Sequence, residues 1–389
     1  MFTFMLLDIM NGRYSIKEIF QNHWWEFLLS HACVLDYVEE TVNKMLVCRD
    51  PERLGYSKYS CPNHPGHFKV VPHSCKSRLC NACGKVATDR WIKKAMSDLP
   101  PVEYYHLTFT VPLEIRNIVF EDKRLLSLMH QAASRAILSW LKERNNSIPV
   151  ILQVLHTFGR DLKFHPHIHA LVSAGGLDIE TKKIWLVNNH WPRRGLEIRF
   201  KTNLLNLLLK KKKINYSLKH KLWKIEWYIH TALAPVSADL TAKYIGRYTR
   251  RPPLSEARII GYNPNFGGQV MFKYEDWYEN KATKAMTLTA MQFMERMTWH
   301  IPPKHLRLVQ RYGLLHNRVK NKYLSILQKM FGEQTKENKP QDPPTWRERQ
   351  TKMTGKDPLL CPECQTEMVL TEVAYWSKKE NKIKIMPLP

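Results

Sequence analysis

A chain of 389 residues, 44% hydrophobic with twelve Trp, carries enough apolar surface to fold, and its length suits two or three structural units better than one small module. The formal charge of +25 favours polyanionic partners, nucleic acid ahead of membrane surfaces. No apolar run approaches the roughly 20 residues of a membrane span, and the first ten residues lack the marks of a signal peptide, so a cytoplasmic, nucleoid-associated protein is expected.

Residues 14–31 and 35–47 carry apolar side chains at helical spacing and predict an opening helical pair. Six of the eight cysteines precede Gly84, and the other two, Cys361 and Cys364, form a single Cys-x-x-Cys near the end. Such clustering fits metal sites better than a disulfide framework. Cys61-Pro-Asn-His64 and Cys80-Asn-Ala-Cys83 are separated by fifteen residues, which is zinc-ribbon spacing. Each short pair can place two ligands on one tetrahedral ion, and the hairpin between them brings the pairs together. Cys75, with Cys48, His67 and His73, stands close enough to substitute or to build a second site. The zinc expected here is structural. Lys69, Lys76, Arg78, Lys85 and Arg90 around it offer contacts to DNA phosphates.

Residues 86–99 predict a helix stopped by Pro100 and Pro101. Beyond it, residues 104–111 read as a strand, 123–144 as a helix, and 150–159 and 166–173 as two strands joined by a polar turn, an α+β pattern. Strand alternation in Phe164-His-Pro-His-Ile-His-Ala-Leu-Val172 puts His167 and His169 on one face and Ile168 on the other, so the pair can grip one metal. Pro166 suits the first residue of a strand, where a missing N–H costs least.

The run Lys210, Lys211, Lys212 and Lys213 is suited to tracking a phosphate backbone. Helices are predicted over 219–232 and 238–249, and a strand over 268–274. Tyr244 and Tyr248 lie one helical turn apart, with Cβ atoms about 5–6 Å from each other, so both can face one metal. Arg247, Arg250 and Arg251 flank them and can hold phosphates. Residues 287–299 and 303–310 predict further helices, 332–357 reads as a linker, and the tail with Cys361 and Cys364 supplies half a metal site.

A lone His-x-His more often marks an exposed polar face, and tyrosines four apart more often pack a core; the order of the motifs carries the weight. His-Leu-Thr-Phe-Thr-Val-Pro at 106–112, His-Pro-His-Ile-His at 165–169, Lys-Tyr-Ile-Gly-Arg-Tyr at 243–248 and Arg-Tyr-Gly-Leu-Leu at 311–315 follow the Cys/His segment. Together they resemble the rolling-circle insertion-sequence transposases of the insertion-sequence-ninety-one type, within the HUH (His-hydrophobe-His) endonucleases. The resemblance spans about residues 24–318.

It implies an HUH-type antiparallel sheet with flanking helices, the histidine strand in the middle, preceded by a helical and zinc-binding N-terminal domain. It further implies Mg2+ or Mn2+ at His167 and His169, with Tyr244 and Tyr248 as nucleophiles that form 5′-phosphotyrosine on single-stranded DNA at element ends and target. HUH sites usually add a third polar ligand, for which His156 and Gln153 come first, with Asp161 also in reach. The organisation expected is a helical and zinc-binding unit at 1–99, the tyrosine nuclease at 100–285, a helical extension at 286–330, a linker at 331–358 and a tail at 359–389. Two other readings stand beside it: a non-catalytic zinc-containing nucleic-acid-binding protein, and a replication initiator or relaxase with the same chemistry.

Overall fold

The computed structural model describes residues 14–31, 33–64, 66–232, 252–265, 267–276, 279, 281–332, 344–377 and 379–388. The expected helix over 238–249, with Tyr244, Arg247 and Tyr248, and the adjacent Arg250 and Arg251 lie outside the described residues.

The two opening helices form as predicted, at Ile16–Ser30 and Asp36–Leu46. Ser15 caps the first, its Oγ accepting from the Glu18 N–H at 3.0 Å. Strands β1 (Gly55–Ser60) and β2 (Phe68–Pro72) make a hairpin, followed by the helix Asn81–Asp98. The central region contributes β3 (Tyr104–Thr110), β4 (Ser147–Phe158), β5 (Phe164–Asp178), β6 (Trp185–Val187) and β7 (Ile229–Thr231). Then come β8 (Ile259–Asn263), β9 (Gln269–Asp276), β10 (Ala282–Thr289), β11 (Val309–Gly313), β12 (Val369–Ser377) and β13 (Lys382–Pro387). They form three antiparallel sheets: β11-β4-β5-β3-β7 with β6 on β5, β10-β9-β8, and β13-β12-β1-β2.

The large sheet has two unlike faces because side chains alternate along each strand. Leu107 and Phe109 of β3, Ile151 and Leu155 of β4, and Ile168, Ala170 and Val172 of β5 pack under the helices Leu126–Asn145 and Arg193–Lys210. The opposite face buries Tyr104, Val150, Leu152, Val154 and Leu171 against Leu314, Leu315 and Leu327. Toward the β4–β5 turn that second face changes from apolar to histidine, at His156, His167 and His169.

The tip of the β4–β5 hairpin is anchored in a second core. Leu162 is fully buried there despite a left-handed φ of 64°. Around it, Arg258 donates to the Arg160 carbonyl at 2.6 Å and Arg296 to the Asp161 carbonyl at 3.1 Å. His300 Nε2 lies 3.0 Å from the Leu162 carbonyl. This core joins Ile16, Phe20, Trp24 and Val42 of the opening helices to Val270 and Phe272 of β9 and to Phe293 and Met297 of the helix Ala290–Trp299. The opening helices therefore pack on residues from beyond position 250 and on the tip of the β4–β5 hairpin.

Four expectations change. Residues 219–232 form a short helix, Tyr216–Lys224, and then edge strand β7, because Trp227 and Ile229 bury into the main core while β7 pairs with β3. Residues 303–310 are not helical: β11 takes Val309 and Gln310 into pairing with β4, beyond two prolines at 302 and 303. The linker contains the helix Trp346–Thr354, whose Thr345 and Glu348 make a reciprocal capping box and whose Gly355 ends it at φ 72°. The tail adds β12 and β13 to the N-terminal sheet, β12 pairing with β1 between Val369 and Tyr375. Gly55 permits that approach: a Cβ there would stand 2.0 Å from the Ala374 carbonyl oxygen. No helix among the described residues is long and apolar enough to cross a membrane.

Candidate metal centre and nucleic-acid cleft

Three histidines from two adjacent strands converge on one point. His167 and His169 stand on the same face of β5, and His156 on β4 lies directly opposite His167 in the ladder. The ligand nitrogens of the three lie within 4.8 Å of one another. His167 Nδ1 is 2.7 Å from the His165 carbonyl, which can only accept, so the proton sits on Nδ1 and Nε2 carries the lone pair. His169 Nδ1 lies 2.8 Å from His106 Nε2 and 3.3 Å from Thr108 Oγ1, both on β3.

Burial holds the His167 imidazole down at about 4, with the His165 carbonyl working against it and Arg116 with it. His156 and His169 are pushed well below the usual range, first by burial and then by neighbouring histidines. All three rings are therefore neutral near pH 7 and present lone pairs rather than charges, which is the state a cation requires.

The expected alternative ligand, Gln153, is not in this group. It is fully buried on the other face of β4, with its amide 3.0 Å from His130 Nδ1 of the overlying helix. Residues 153 and 156 differ in strand parity, so only one of them can share the face of His167.

The histidines open into a cleft of about 560 Å³ between the large sheet and the β8–β10 sheet. Arg160, Arg258 and Lys273 line it together with His165 and Tyr274. Arg258 is fixed by donating to the Lys273 carbonyl at 2.7 Å, and Arg160 forms an ion pair with Glu275. Lys210, Lys211, Lys212 and Lys213 do not line this cleft. They lie at and just beyond the end of the helix Arg193–Lys210, packed on the sheet's other face, where Lys213 pairs with Asp122 at 3.3 Å.

The expected zinc quartet is redistributed. Cys80 and Cys83 meet Cys48 and Cys75, while Cys61 and His64 meet Cys361 and Cys364. Sulfur separations in the first group are 3.7 Å for Cys48–Cys83, 3.6 Å for Cys75–Cys83 and 3.7 Å for Cys80–Cys48. Hydrogen bonds from Cys48, Cys75 and Cys80 draw the Cys83 thiol strongly down, and those from Cys48 push Cys75 and Cys80 up. Four sulfurs so close can all ionise only around a cation, and the set suits tetrahedral zinc. The ribbon reading failed because β1 and β2 carry Cys61 and His64 away from the start of the helix Asn81–Asp98.

His106 was not singled out from the sequence as a site residue. Its signal was the period-two pattern His106, Thr108, Thr110, which places all three on the histidine face of the sheet.

The chain is similar to known proteins along most of its length. A family profile described as "Transposase zinc-binding domain", of the IS91 type, matches residues 19–111, and one described as "Putative transposase" matches residues 151–323. The chain is 33% identical over 327 residues to the "Transposase for insertion sequence element IS801" of Pseudomonas savastanoi pv. phaseolicola, covering 79% of this chain and 78% of the relative. It is 25% identical over 384 residues to the "Putative transposase y4qJ" of Sinorhizobium fredii, covering 92% and 95%. No solved structure matches the chain.

Proposed function

Because this chain belongs to the IS91/IS801 family of transposases, we propose that it moves DNA by cutting and rejoining single strands in the histidine cleft, in rolling-circle fashion. The observation that carries the reading is the convergence of His156, His167 and His169 from adjacent strands onto a cleft also lined by Arg160, Arg258 and Lys273. The position of β5 in the middle of the large antiparallel sheet supports an HUH-type arrangement.

The three imidazoles would hold a divalent ion, Mn2+ or Mg2+, and an all-nitrogen set binds first-row transition ions more tightly than Mg2+. Such an ion, when bound, supplies Lewis-acid polarisation of a phosphoryl oxygen. Arg160, Arg258 and Lys273 place backbone phosphates beside the imidazoles. The phenol of Tyr244 or Tyr248, with a pKa of about 10, loses its proton as its oxygen attacks phosphorus. The 3′-oxygen leaves, giving a 5′-phosphotyrosine and a free 3′-hydroxyl. The phosphodiester energy stays in the tyrosyl ester, so a later 3′-hydroxyl can reverse the attack on a new strand without a nucleotide cofactor.

Incubation of labelled single-stranded element ends with Mn2+ or Mg2+ should give a covalent protein–DNA adduct that maps to Tyr244 or Tyr248. A zinc-containing binder without catalysis would retard the oligonucleotide and form no adduct, and that result would overturn the reading.

A further inference from the structure

The second cysteine-histidine group lies apart from the nuclease cleft and shares no residue with the first cysteine group. Its members come from opposite ends of the chain, Cys61 and Cys364 being 303 residues apart in sequence. We propose that Cys61, His64, Cys361 and Cys364 hold a second structural zinc ion that fastens the C-terminal strands to the N-terminal sheet. The family profile for the zinc-binding domain ends at residue 111, well short of two of these ligands.

Distances carry the argument. Zinc bound tetrahedrally at about 2.3 Å to sulfur and about 2.1 Å to nitrogen sets sulfurs about 3.8 Å apart and a sulfur about 3.6 Å from the nitrogen. Here Cys61 Sγ and Cys364 Sγ are 3.5 Å apart, and His64 Nδ1 stands 3.9 Å from both Cys61 Sγ and Cys361 Sγ. All four ligand atoms lie within 4.8 Å of one another. The sulfurs are too far apart for a disulfide, which needs about 2.05 Å.

The surroundings are shaped to hold thiolates. Both ligand pairs read Cys-Pro-x-ligand, and the backbone N–H of His64 donates to Cys61 Sγ at 3.3 Å. The second turn closes through Gln365, at φ 56°, whose N–H donates to the Cys361 carbonyl at 3.0 Å. Cys61 and Cys361 are 2% and 0% exposed, so water is excluded from two of the sulfurs. His67 Nδ1 lies 3.4 Å from Cys361 Sγ and can hydrogen-bond that thiolate from outside the quartet. The site caps the β1–β12 ladder where Ser60 pairs with Val369. An ion here would therefore lock the register of two strands joined by most of the chain, at a point where loop-closure entropy opposes pairing.

The test uses the full-length protein purified under reducing conditions, with zinc measured by elemental analysis. The double variant Cys361→Ser/Cys364→Ser should contain one zinc equivalent fewer per chain than the parent, while His67→Ala should retain the parental content. Should the double variant fail to fold, His64→Cys keeps four ligands: it should retain zinc and, loaded with Co2+, show a visible spectrum shifted toward that of an all-sulfur site. Unchanged zinc content in a folded double variant, an unchanged cobalt spectrum for His64→Cys, or a Cys61–Cys364 disulfide found by mass spectrometry would overturn the proposal.

Discussion

His106 Nε2 lies 2.8 Å from His169 Nδ1, across the β3–β5 ladder. Both rings are held neutral by burial, His106 at about 4, so one nitrogen of the pair donates and the other accepts. If His169 donates from Nδ1, its Nε2 is the atom that would face an ion bound by the three histidines. His106 is then a positioning residue that fixes the tautomer and the ring orientation of a ligand. We expect His106→Ala to weaken the apparent affinity for Mn2+ about 10- to 100-fold, as loss of a partner to a ligating histidine commonly does. Cleavage titrated against Mn2+ should recover at high ion concentration, and a loss of rate that no Mn2+ concentration restores would argue against this role.

His156 and Gln153 provide a paired test of the third ligand. His156→Ala, like His167→Ala or His169→Ala, should abolish cleavage while leaving folding and oligonucleotide binding largely intact. Gln153→Ala should do the reverse: it opens a buried polar contact with His130 and should lower stability by about 1–3 kcal/mol with little effect on metal dependence. Thermal melting and cleavage rates of the four variants check this, and normal cutting by His156→Ala would remove it from the metal centre.

Glu197 is 1% exposed, against the segment that runs into β7. Its carboxylate accepts from the Trp227 N–H at 3.0 Å and from Arg194 at 2.9 Å, and Lys201 Nζ, itself 4% exposed, lies 3.1 Å away. Burial alone would push the carboxyl up, but the Trp227 N–H, Lys201 and Arg194 outweigh it and leave the pKa below its usual value. Because the folded value is the lower one, this stabilisation is present above the unfolded pKa of about 4.3 and is lost as the pH falls through the folded value. Glu197→Ala leaves the buried Lys201 ammonium with the Trp223 and Ile225 carbonyls but without the carboxylate that balances its charge, and should cost up to about 3–5 kcal/mol at pH 7. Urea unfolding at pH 7 and at low pH should show the gap between parent and variant narrowing under acid, and a gap that does not change with pH would show that the charge is immaterial.

On the proposed function, Tyr244 and Tyr248 would divide the labour of two successive strand cuts. Tyr244→Phe and Tyr248→Phe should each block complete transposition, while at least one single variant still forms an oligonucleotide adduct. Phenylalanine keeps the ring and loses the nucleophilic oxygen, so packing is separated from chemistry. Full transposition by either single variant would show that one tyrosine suffices, and adducts formed by the double variant would place the nucleophile elsewhere.

Several features were legible in the sequence because they depend on local geometry. Strand alternation alone sets His167 and His169 on one face, whatever the rest of the fold does. The opening helices and β3 follow from local periodicity and lie where it places them. Even the helix Trp346–Thr354 was written in Thr345, Glu348 and Gly355, although the polar composition around it suggested a linker.

What tertiary structure decided was which side chains meet across long sequence separations. The third histidine depends on the register of β4 against β5, which shifts between His156 and Phe158, and such a bulge follows from no pattern in either strand. That register is held from outside by Leu162 seated in a core built from the opening helices and residues beyond 250. The zinc ligands were regrouped for the same reason. Spacing shows that Cys61 and His64 can share an ion, but pairing of β1 with β12 brings Cys361 and Cys364 to them, and contact over 303 residues leaves no local trace in the chain.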